Sequence, residues 1–174
     1  QNGDWHGDSY AGIYFQGKRQ GSGIYRYKGV DGEGSGVFIG EWLKGEMHGL
    51  GILTYADDES YAGRWQHDLK DGLGVYKWGR HSEHSGDKYE GYFLEGHSDG
   101  VGTTAFSDGG WHKGSWVGGA MNGPGIMATS SGLVLFGSWL NDQPHGEFVQ
   151  SIGLSSSTKT VVEFEHGEVK NRRD

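Results

Sequence analysis

One segment of the chain matches a motif that surrounds catalytic serines. Gly96, Ser98 and Gly100 match the G-x-S-x-G pattern, in which a serine nucleophile sits on a sharp turn between a strand and a helix. That chemistry needs histidine and carboxylate partners close to the serine. Both glycines recur at matching places elsewhere in the chain, and no helical pattern follows them. We therefore predict a hairpin loop here, with no catalytic residue and no enzyme activity.

Two other segments contain residue types that bind ions. His81, Glu83, His84 and Asp87 lie close together, but a zinc site usually needs four ligands on a rigid frame, and this run is rich in Ser and Gly. The glycine-rich segment 31–36 resembles a phosphate-binding loop, yet it lacks the following Lys-Ser/Thr pair and a helix N-terminus. We predict a solvated or flexible loop at each place, with no metal and no cofactor.

The composition limits the class of protein in which these residues lie. The chain has 174 residues, of which 35 are glycine and 13% are aromatic, and its net charge is -8. Each interior glycine costs a helix about 1 kcal/mol, so this many glycines exclude an ordinary helical protein. The acidic balance disfavours nucleic acid as a partner. Because small secreted domains often need disulfides, the absence of cysteine favours an intracellular, cytoplasmic protein.

A repeat organises the chain. Each unit has an aromatic residue, a glycine two positions later and a second aromatic residue two positions after that, as in Tyr61, Gly63 and Trp65, and then a polar loop and a Gly-x-Gly strand. Six copies start at Tyr10, Phe38, Tyr61, Tyr89, His112 and Leu135. Terminal repeats are usually atypical, so we interpret 1–9 as a truncated copy and 147–174 as a degenerate closing strand or cap. The whole chain is predicted to form one domain.

Each copy predicts a β-hairpin. Side chains alternate along a strand, so Tyr61, Gly63 and Trp65 share one face, and Tyr76 and Trp78 share a face of the next strand. A glycine between two aromatic residues leaves a gap that a ring from a neighbouring strand can cover. One hairpin is not stable alone, so successive hairpins must stack. We predict an all-β fold: an elongated, twisted, single-layer antiparallel sheet of stacked hairpins, with little or no helix.

The unit resembles the MORN repeat (membrane occupation and recognition nexus), and the resemblance extends from about Trp5 to Gly146. The copy at Phe38 matches best. The resemblance implies stacked hairpins and a non-catalytic role in protein binding, dimerisation or phospholipid association. The family often has His before the last loop glycine, and this chain departs from that pattern at Gln20, Asp71, Asp99 and Asn122.

The aromatic face is the main candidate for a binding surface. A single-layer sheet cannot cover both of its faces, and exposed apolar patches mark interaction sites. We expect an aromatic-lined trough that binds a segment of a partner protein, although the same rings also have a packing role. The candidate partner-binding residues are Tyr10, Tyr14, Trp42, Tyr61, Trp65, Tyr89, Phe93, Trp116 and Trp139.

Two alternatives remain open from the sequence. The first is a membrane tether that recognises an acidic phospholipid, which needs clustered basic residues. Its candidates are Lys18, Arg19, Lys44, Lys70 and Lys113, and neighbouring acidic residues dilute their charge. The second is a homodimer or assembly unit joined at the ends of the sheet, where the strand Thr160–Phe164 would pair with a twin. A cytoskeletal or membrane association is compatible with either alternative.

Overall fold

The computed structural model describes residues 7–29, 35–155 and 158–173. Within these residues the regular structure consists of fourteen β-strands, without a helix. The strands are β1 (Ser9–Phe15), β2 (Lys18–Tyr27), β3 (Gly36–Leu43), β4 (Glu46–Tyr55), β5 (Ser60–Gln66), β6 (Leu69–Lys77), β7 (Lys88–Leu94), β8 (His97–Ala105), β9 (Trp111–Val117), β10 (Ala120–Ala128), β11 (Leu133–Leu140), β12 (Gln143–Ile152), β13 (Thr160–Glu165) and β14 (Glu168–Arg173).

The strands form one open antiparallel sheet, in which the order of the strands is their order in the chain. The prediction of an all-β sheet of stacked hairpins is confirmed. The backbone contacts divide the chain into two units, Gln1–Gly86 with Phe93–Gly96, and Asp87–Tyr92 with His97–Asp174. The predicted truncated copy and the connection at 31–36 fall largely on 1–6 and 30–34, which lie outside the described residues.

Tight two-residue turns join the strands within each repeat. Lys44 and Gly45 have φ values of 54° and 101°, so both central residues are left-handed, as a type I′ hairpin turn requires. His67 and Asp68 form the same type of turn, with φ values of 52° and 65°, although neither residue is glycine. Gly45 adopts this φ without strain, and residues other than glycine fill the same turn elsewhere.

In the first unit, glycines line up across the strands beneath the aromatic rings. Gly40 pairs with Gly51 across β3 and β4, and Gly51 pairs with Gly63 across β4 and β5. A Cβ atom at Gly40 would lie 2.5 Å from Cζ of Phe38, and Phe38 also covers Gly51. Each ring therefore lies over a glycine of its own strand and over one of the neighbouring strand. The predicted gap exists, and a larger residue would displace the ring.

The second unit repeats this arrangement. Gly102 pairs with Gly114 and Gly114 pairs with Gly125. The ring of Tyr89 covers Gly102, and the ring of His112 lies over Gly114 and Gly125. Because the backbones carry no side chains at these positions, large rings fit on one face of a single sheet.

A backbone hydrogen bond joins the turn of each hairpin to the preceding hairpin. The donor is the backbone amide of the seventh residue after the first residue of a repeat. The acceptor is the backbone carbonyl of the ninth residue after the first residue of the previous repeat. The described pairs within the two units are Gly45 to Arg19 (2.9 Å), Asp68 to Met47 (3.2 Å), Gly96 to Lys70 (2.9 Å), Gly119 to Ser98 (2.9 Å), Asp142 to Met121 (3.0 Å) and Gly167 to Pro144 (3.2 Å). These bonds fix the spacing of successive hairpins on the aromatic face.

The C-terminal segment contains more than the predicted closing strand. β12 continues to Ile152, so the sixth repeat keeps its full second strand. The last residues then form a complete hairpin of β13 and β14. Gly167 makes the same turn contact as the loops of the earlier repeats, which identifies this hairpin as a seventh, degenerate copy.

Candidate interaction surface

The nine predicted partner-binding rings lie on the aromatic face, the sheet face on which the first residue of each repeat lies. Tyr10 is half-buried and Tyr14 is 54% exposed. The other seven are buried, namely Trp42, Tyr61, Trp65, Tyr89, Phe93, Trp116 and Trp139. That these rings bind a partner stays a prediction, but burial leaves little of the seven for a partner to touch.

The buried rings contact one another edge to face from repeat to repeat. In the first unit Phe38 lies between Trp42 and Trp65, with ring centroids 5.2 Å and 5.3 Å apart, and Tyr61 lies 5.1 Å from Trp65 and 5.0 Å from Phe93. Such T-shaped pairs contribute about 0.5–1.5 kcal/mol each beyond the burial of their area. The rings therefore act as the core of a sheet that has no second layer.

The second unit continues the pattern with one unusual member. His112 lies between Trp116 and Trp139, with centroids 5.5 Å and 4.8 Å away. Tyr89 donates its hydroxyl proton to the carbonyl of Tyr92 at 3.0 Å, whereas neither ring nitrogen of His112 has a hydrogen-bond partner among the described residues. Burial lowers the pKa of His112 to about 4, so the ring is neutral at pH 7.

A second row of aromatic residues covers part of the first unit and remains accessible. Tyr27, Tyr55 and Trp78 each lie seventeen positions after a repeat start, follow the alternation of the aromatic face and are half-buried. We call them the outer row. Their constant spacing was visible in the sequence, but the predicted set contained only the two aromatic positions that define the repeat.

Two of the basic residues proposed for lipid binding contact aromatic rings. The guanidinium carbon of Arg19 lies 4.2 Å from the centroid of Trp42 and 4.7 Å from that of Tyr25. The ammonium of Lys70 lies 4.2 Å from the centroid of Tyr76, and burial lowers its pKa. These are cation–π geometries. Both cations are thus engaged by the aromatic face itself.

The remaining basic candidates, Lys18, Lys44 and Lys113, are exposed. Lys113 pairs across the strands with Ile126, so it lies on the opposite face from the buried rings. Phospholipid binding and homodimerisation stay predictions. The predicted dimer contact through Thr160–Phe164 is wrong, because this strand is β13, which is already paired with β12 on one side and with β14 on the other.

A pocket of about 210 Å³ opens on the aromatic face of the first unit, over β4 to β6. We call it the Met47 pocket. It is lined by Tyr27, Met47, Leu53, Tyr55, Glu59, Ser60, Tyr61, Trp65, Asp68, Leu69, Lys70, Tyr76 and Gly96. It combines apolar walls with a few convergent polar groups, which is the usual character of a ligand site.

Hydrogen bonds hold the polar groups of the Met47 pocket in place. Tyr76 donates to Oε1 of Glu59 at 2.7 Å, and Oδ1 of Asp68 accepts the Met47 amide at 2.7 Å. The hydroxyl of Tyr27 lies 3.8 Å from the sulfur of Met47. Burial, together with nearby Tyr55, raises the pKa of Tyr27 to about 12. The tyrosine hydroxyls of this site are therefore neutral at pH 7.

The opposite face carries aliphatic side chains in register. Ile24 pairs with Ile39, and Ile39 pairs with Ile52 across neighbouring strands. Ile39 is 54% exposed and Ile52 is 52% exposed. A groove lined partly by Ile24, Ile39 and Leu50 lies on this face. It has few polar groups that would orient a ligand.

The segments with catalytic or metal-binding residue types take the structure of loops and strands. Ser98 lies in β8, so the prediction that it is part of a hairpin loop is wrong, and of the motif only Gly96 belongs to the turn. Asp87 is buried and accepts the amide of Ser107 at 2.8 Å. Among the described residues, no three His, Asp or Glu side chains are grouped so as to hold a metal ion. None of the described residues forms a helix able to span a membrane.

The fold and the surface define a class of β-hairpin repeat protein, in which each repeat contributes one ring layer and one turn contact. Comparison with known families identifies that class more closely. Six stretches match the MORN repeat, at 10–29, 38–60, 61–82, 89–111, 112–134 and 136–147. They cover well over half of the chain, and the chain belongs to the MORN repeat family.

Curated relatives match parts of the chain. Alsin from Homo sapiens is 33% identical over 73 residues, which is 42% of this chain and 4% of Alsin. MORN repeat-containing protein 3 from Xenopus laevis is 30% identical over 77 residues, which is 41% of this chain and 31% of that protein. The chain thus spans only a small part of these relatives. MORN repeats are non-enzymatic modules that often take part in interactions.

Proposed function

We propose that this chain is a non-catalytic interaction module that binds a segment of a partner protein on the aromatic face of the first unit. The observation that carries the proposal is the Met47 pocket, flanked by the half-buried outer row. Tyrosine and tryptophan rings with accessible edges are the commonest energetic anchors of protein interfaces. The buried rings support these residues, and two of them, Tyr61 and Trp65, also line the pocket.

The form of the site favours an extended segment over a small substrate. The outer row continues across successive repeats, because Tyr27, Tyr55 and Trp78 recur at one position of the repeat. The polar groups are held by hydrogen bonds to the protein and do not form a nucleophile and base pair. We infer that recognition, and not a reaction, takes place here.

The test is a selection of random peptides displayed on phage against the immobilised chain. Peptides enriched by the wild type are then measured against the Tyr27→Ser, Tyr55→Ser double variant. We expect a loss of binding of at least about tenfold, since hot-spot rings contribute 2 kcal/mol or more each. Circular dichroism and thermal melting show whether each variant is folded.

A matched control removes two apolar side chains from the opposite face. The Ile39→Ser, Ile52→Ser variant changes residues that are exposed and paired with each other. We expect it to bind the selected peptides as the wild type does. Binding that survives the tyrosine changes, or that is lost only in the isoleucine variant, would place the interaction on the wrong face and refute the proposal.

A further inference from the structure

We propose that the Met47 pocket binds the guanidinium or ammonium group of an arginine or lysine in the partner segment, an inference that rests on the proposed function above. Three independent features of the first unit support it. They are the aromatic side chains that line the pocket, the balance of charge in the lining, and the contacts that the chain's own arginine and lysine make with aromatic rings.

The first feature is the chemistry of the walls. Tyr27, Tyr55 and the indole of Trp65 line the pocket, together with Tyr76, whose ring is already in contact with the ammonium of Lys70. The faces of such rings attract cations, and the attraction grows when the cation loses water. The methylenes of a lysine or arginine stem would meet the apolar side chain of Leu53, which also lines the pocket.

The second feature is the charge. The lining contains two carboxylates, Glu59 and Asp68, against the single ammonium of Lys70. One oxygen of Glu59 accepts a hydrogen bond from Tyr76, and one oxygen of Asp68 accepts a hydrogen bond from the Met47 amide. These hydrogen bonds orient the two carboxylates. Negative groups therefore exceed positive ones, and an anionic ligand would be repelled. The net charge of the chain, -8, also favours a basic partner.

The third feature is an internal precedent. In the first unit the residues nine positions after the repeat starts are Arg19, Met47 and Lys70, and their side chains lie on the aromatic face. The two cations rest on rings, at 4.2 Å from Trp42 and from Tyr76. At the middle repeat the chain places the neutral thioether of Met47 instead, and the pocket lies beside it. Lys70 also lines the pocket and lies over Tyr76, so a cation from outside would meet the rings of Tyr27, Tyr55 and Trp65.

The experiment is an NMR titration of the isotope-labelled chain with N-acetyl-arginine amide. We expect saturable shifts of the Trp65 indole N–H and of the Met47 and Asp68 amides. N-acetyl-citrulline amide has the same shape without the charge, and we expect it to bind at least about fivefold more weakly. Equal shifts with citrulline, or stronger binding of N-acetyl-glutamate amide, would overturn the inference.

Variants that each neutralise one carboxylate show whether the arginine derivative binds in the Met47 pocket. Glu59→Gln and Asp68→Asn keep the size of each side chain, and we expect each to weaken arginine binding several-fold, with the tyrosine rings unchanged. Glu41→Gln is the matched control, because Glu41 lies on the opposite face, where its carboxylate accepts the Leu50 amide. An equal loss in all three variants, or in none of them, would contradict a cation site in the pocket.

The NMR titration and the peptide selection together distinguish a failure of the cation site from a failure of the proposed function. If selected peptides depend on Tyr27 and Tyr55 but bind Asp68→Asn as tightly as the wild type and contain no basic residue, the cation site is wrong and the interaction module stands. If selected peptides ignore the tyrosine changes while arginine still titrates the pocket, the proposed function fails and the cation site remains.

Discussion

His112 on β9 lies directly opposite Thr104 on β8, and both side chains are buried without a hydrogen-bond partner in the described part of the chain. His112 is 1% exposed and Thr104 is 3% exposed. At the same repeat position Tyr61 and Tyr89 donate to a backbone carbonyl three residues later. The imidazole keeps the ring layer intact but leaves buried polar atoms unsatisfied, which costs about 1–3 kcal/mol.

The first prediction concerns the pH dependence of stability at His112. Its pKa falls from 6.5 in the unfolded chain to about 4 in the fold. Between these values the unfolded state binds more protons, so the free energy of unfolding should fall as the pH falls, by about 1.4 kcal/mol per pH unit. Urea unfolding at several pH values measures this slope.

The variant His112→Phe should remove most of that slope and raise stability at pH 7. The exposed His97 provides the control, since His97→Phe should leave the slope unchanged. An unchanged slope in His112→Phe would show that other groups cause the acid sensitivity.

The second prediction concerns the glycine positions under the rings. A Cβ at Gly51 would meet the ring of Phe38, with Cε2 at 2.5 Å. Gly51→Ala should therefore lower the free energy of unfolding by about 1–3 kcal/mol, as overpacking does. Thermal or urea unfolding gives the value.

A double-mutant cycle checks the cause. Phe38→Leu removes the ring edge, so the alanine should cost less in the Phe38→Leu background than in the wild type. At Gly63 an added Cβ would meet the hydroxyl of Tyr61 and also backbone atoms of Gly74 and Leu73, so shortening Tyr61 should not fully rescue Gly63→Ala. Simple additivity of Gly51→Ala and Phe38→Leu would refute the steric explanation.

The third prediction concerns the cation–π contacts of Arg19. The guanidinium lies over Trp42 and Tyr25, and Nη2 donates to the carbonyl of Gly45 at 2.8 Å. Arg19→Met introduces the residue that occupies the same repeat position at Met47. We expect a loss of about 1–2 kcal/mol, because the packing is retained while the cation and its hydrogen bond are lost. Lys18→Met, at the exposed neighbour, should have little effect in the same unfolding assay.

The fourth prediction concerns the turn at Asp142. Its Oδ1 accepts the Met121 amide at 2.7 Å, and its φ of 66° is left-handed. Asp142→Asn keeps an acceptor and tolerates this φ, so stability should stay within about 0.5 kcal/mol of the wild type. Asp142→Gly relaxes the backbone but loses the acceptor, so the Met121 amide should exchange faster with solvent. Hydrogen-exchange NMR distinguishes the two, and equal protection in both variants would contradict the role of the carboxylate.

Local repetition explains why the fold could be predicted from the sequence. The hairpins, their order and the glycines at Gly40, Gly51 and Gly63 follow from a period of alternating aromatic residues and glycines, and each hairpin contacts mainly its neighbours. The type I′ turn at His67 and Asp68 was harder to foresee, because neither residue is glycine. Its geometry is imposed by the strands that it joins.

The sequence by itself determined the family, the stacked hairpins and the face on which the rings lie. It did not determine which rings a partner can reach, because burial depends on how consecutive hairpins pack. Trp42 and Trp65 defined the repeat and are buried, whereas Tyr27 and Tyr55, which pair with Gly36 at the other end of β3, are half-buried. Only the tertiary structure brings Glu59, Asp68 and Lys70 to one pocket, because β4, β5 and β6 must pair and the turn at Asp68 must bind Met47 before these side chains meet.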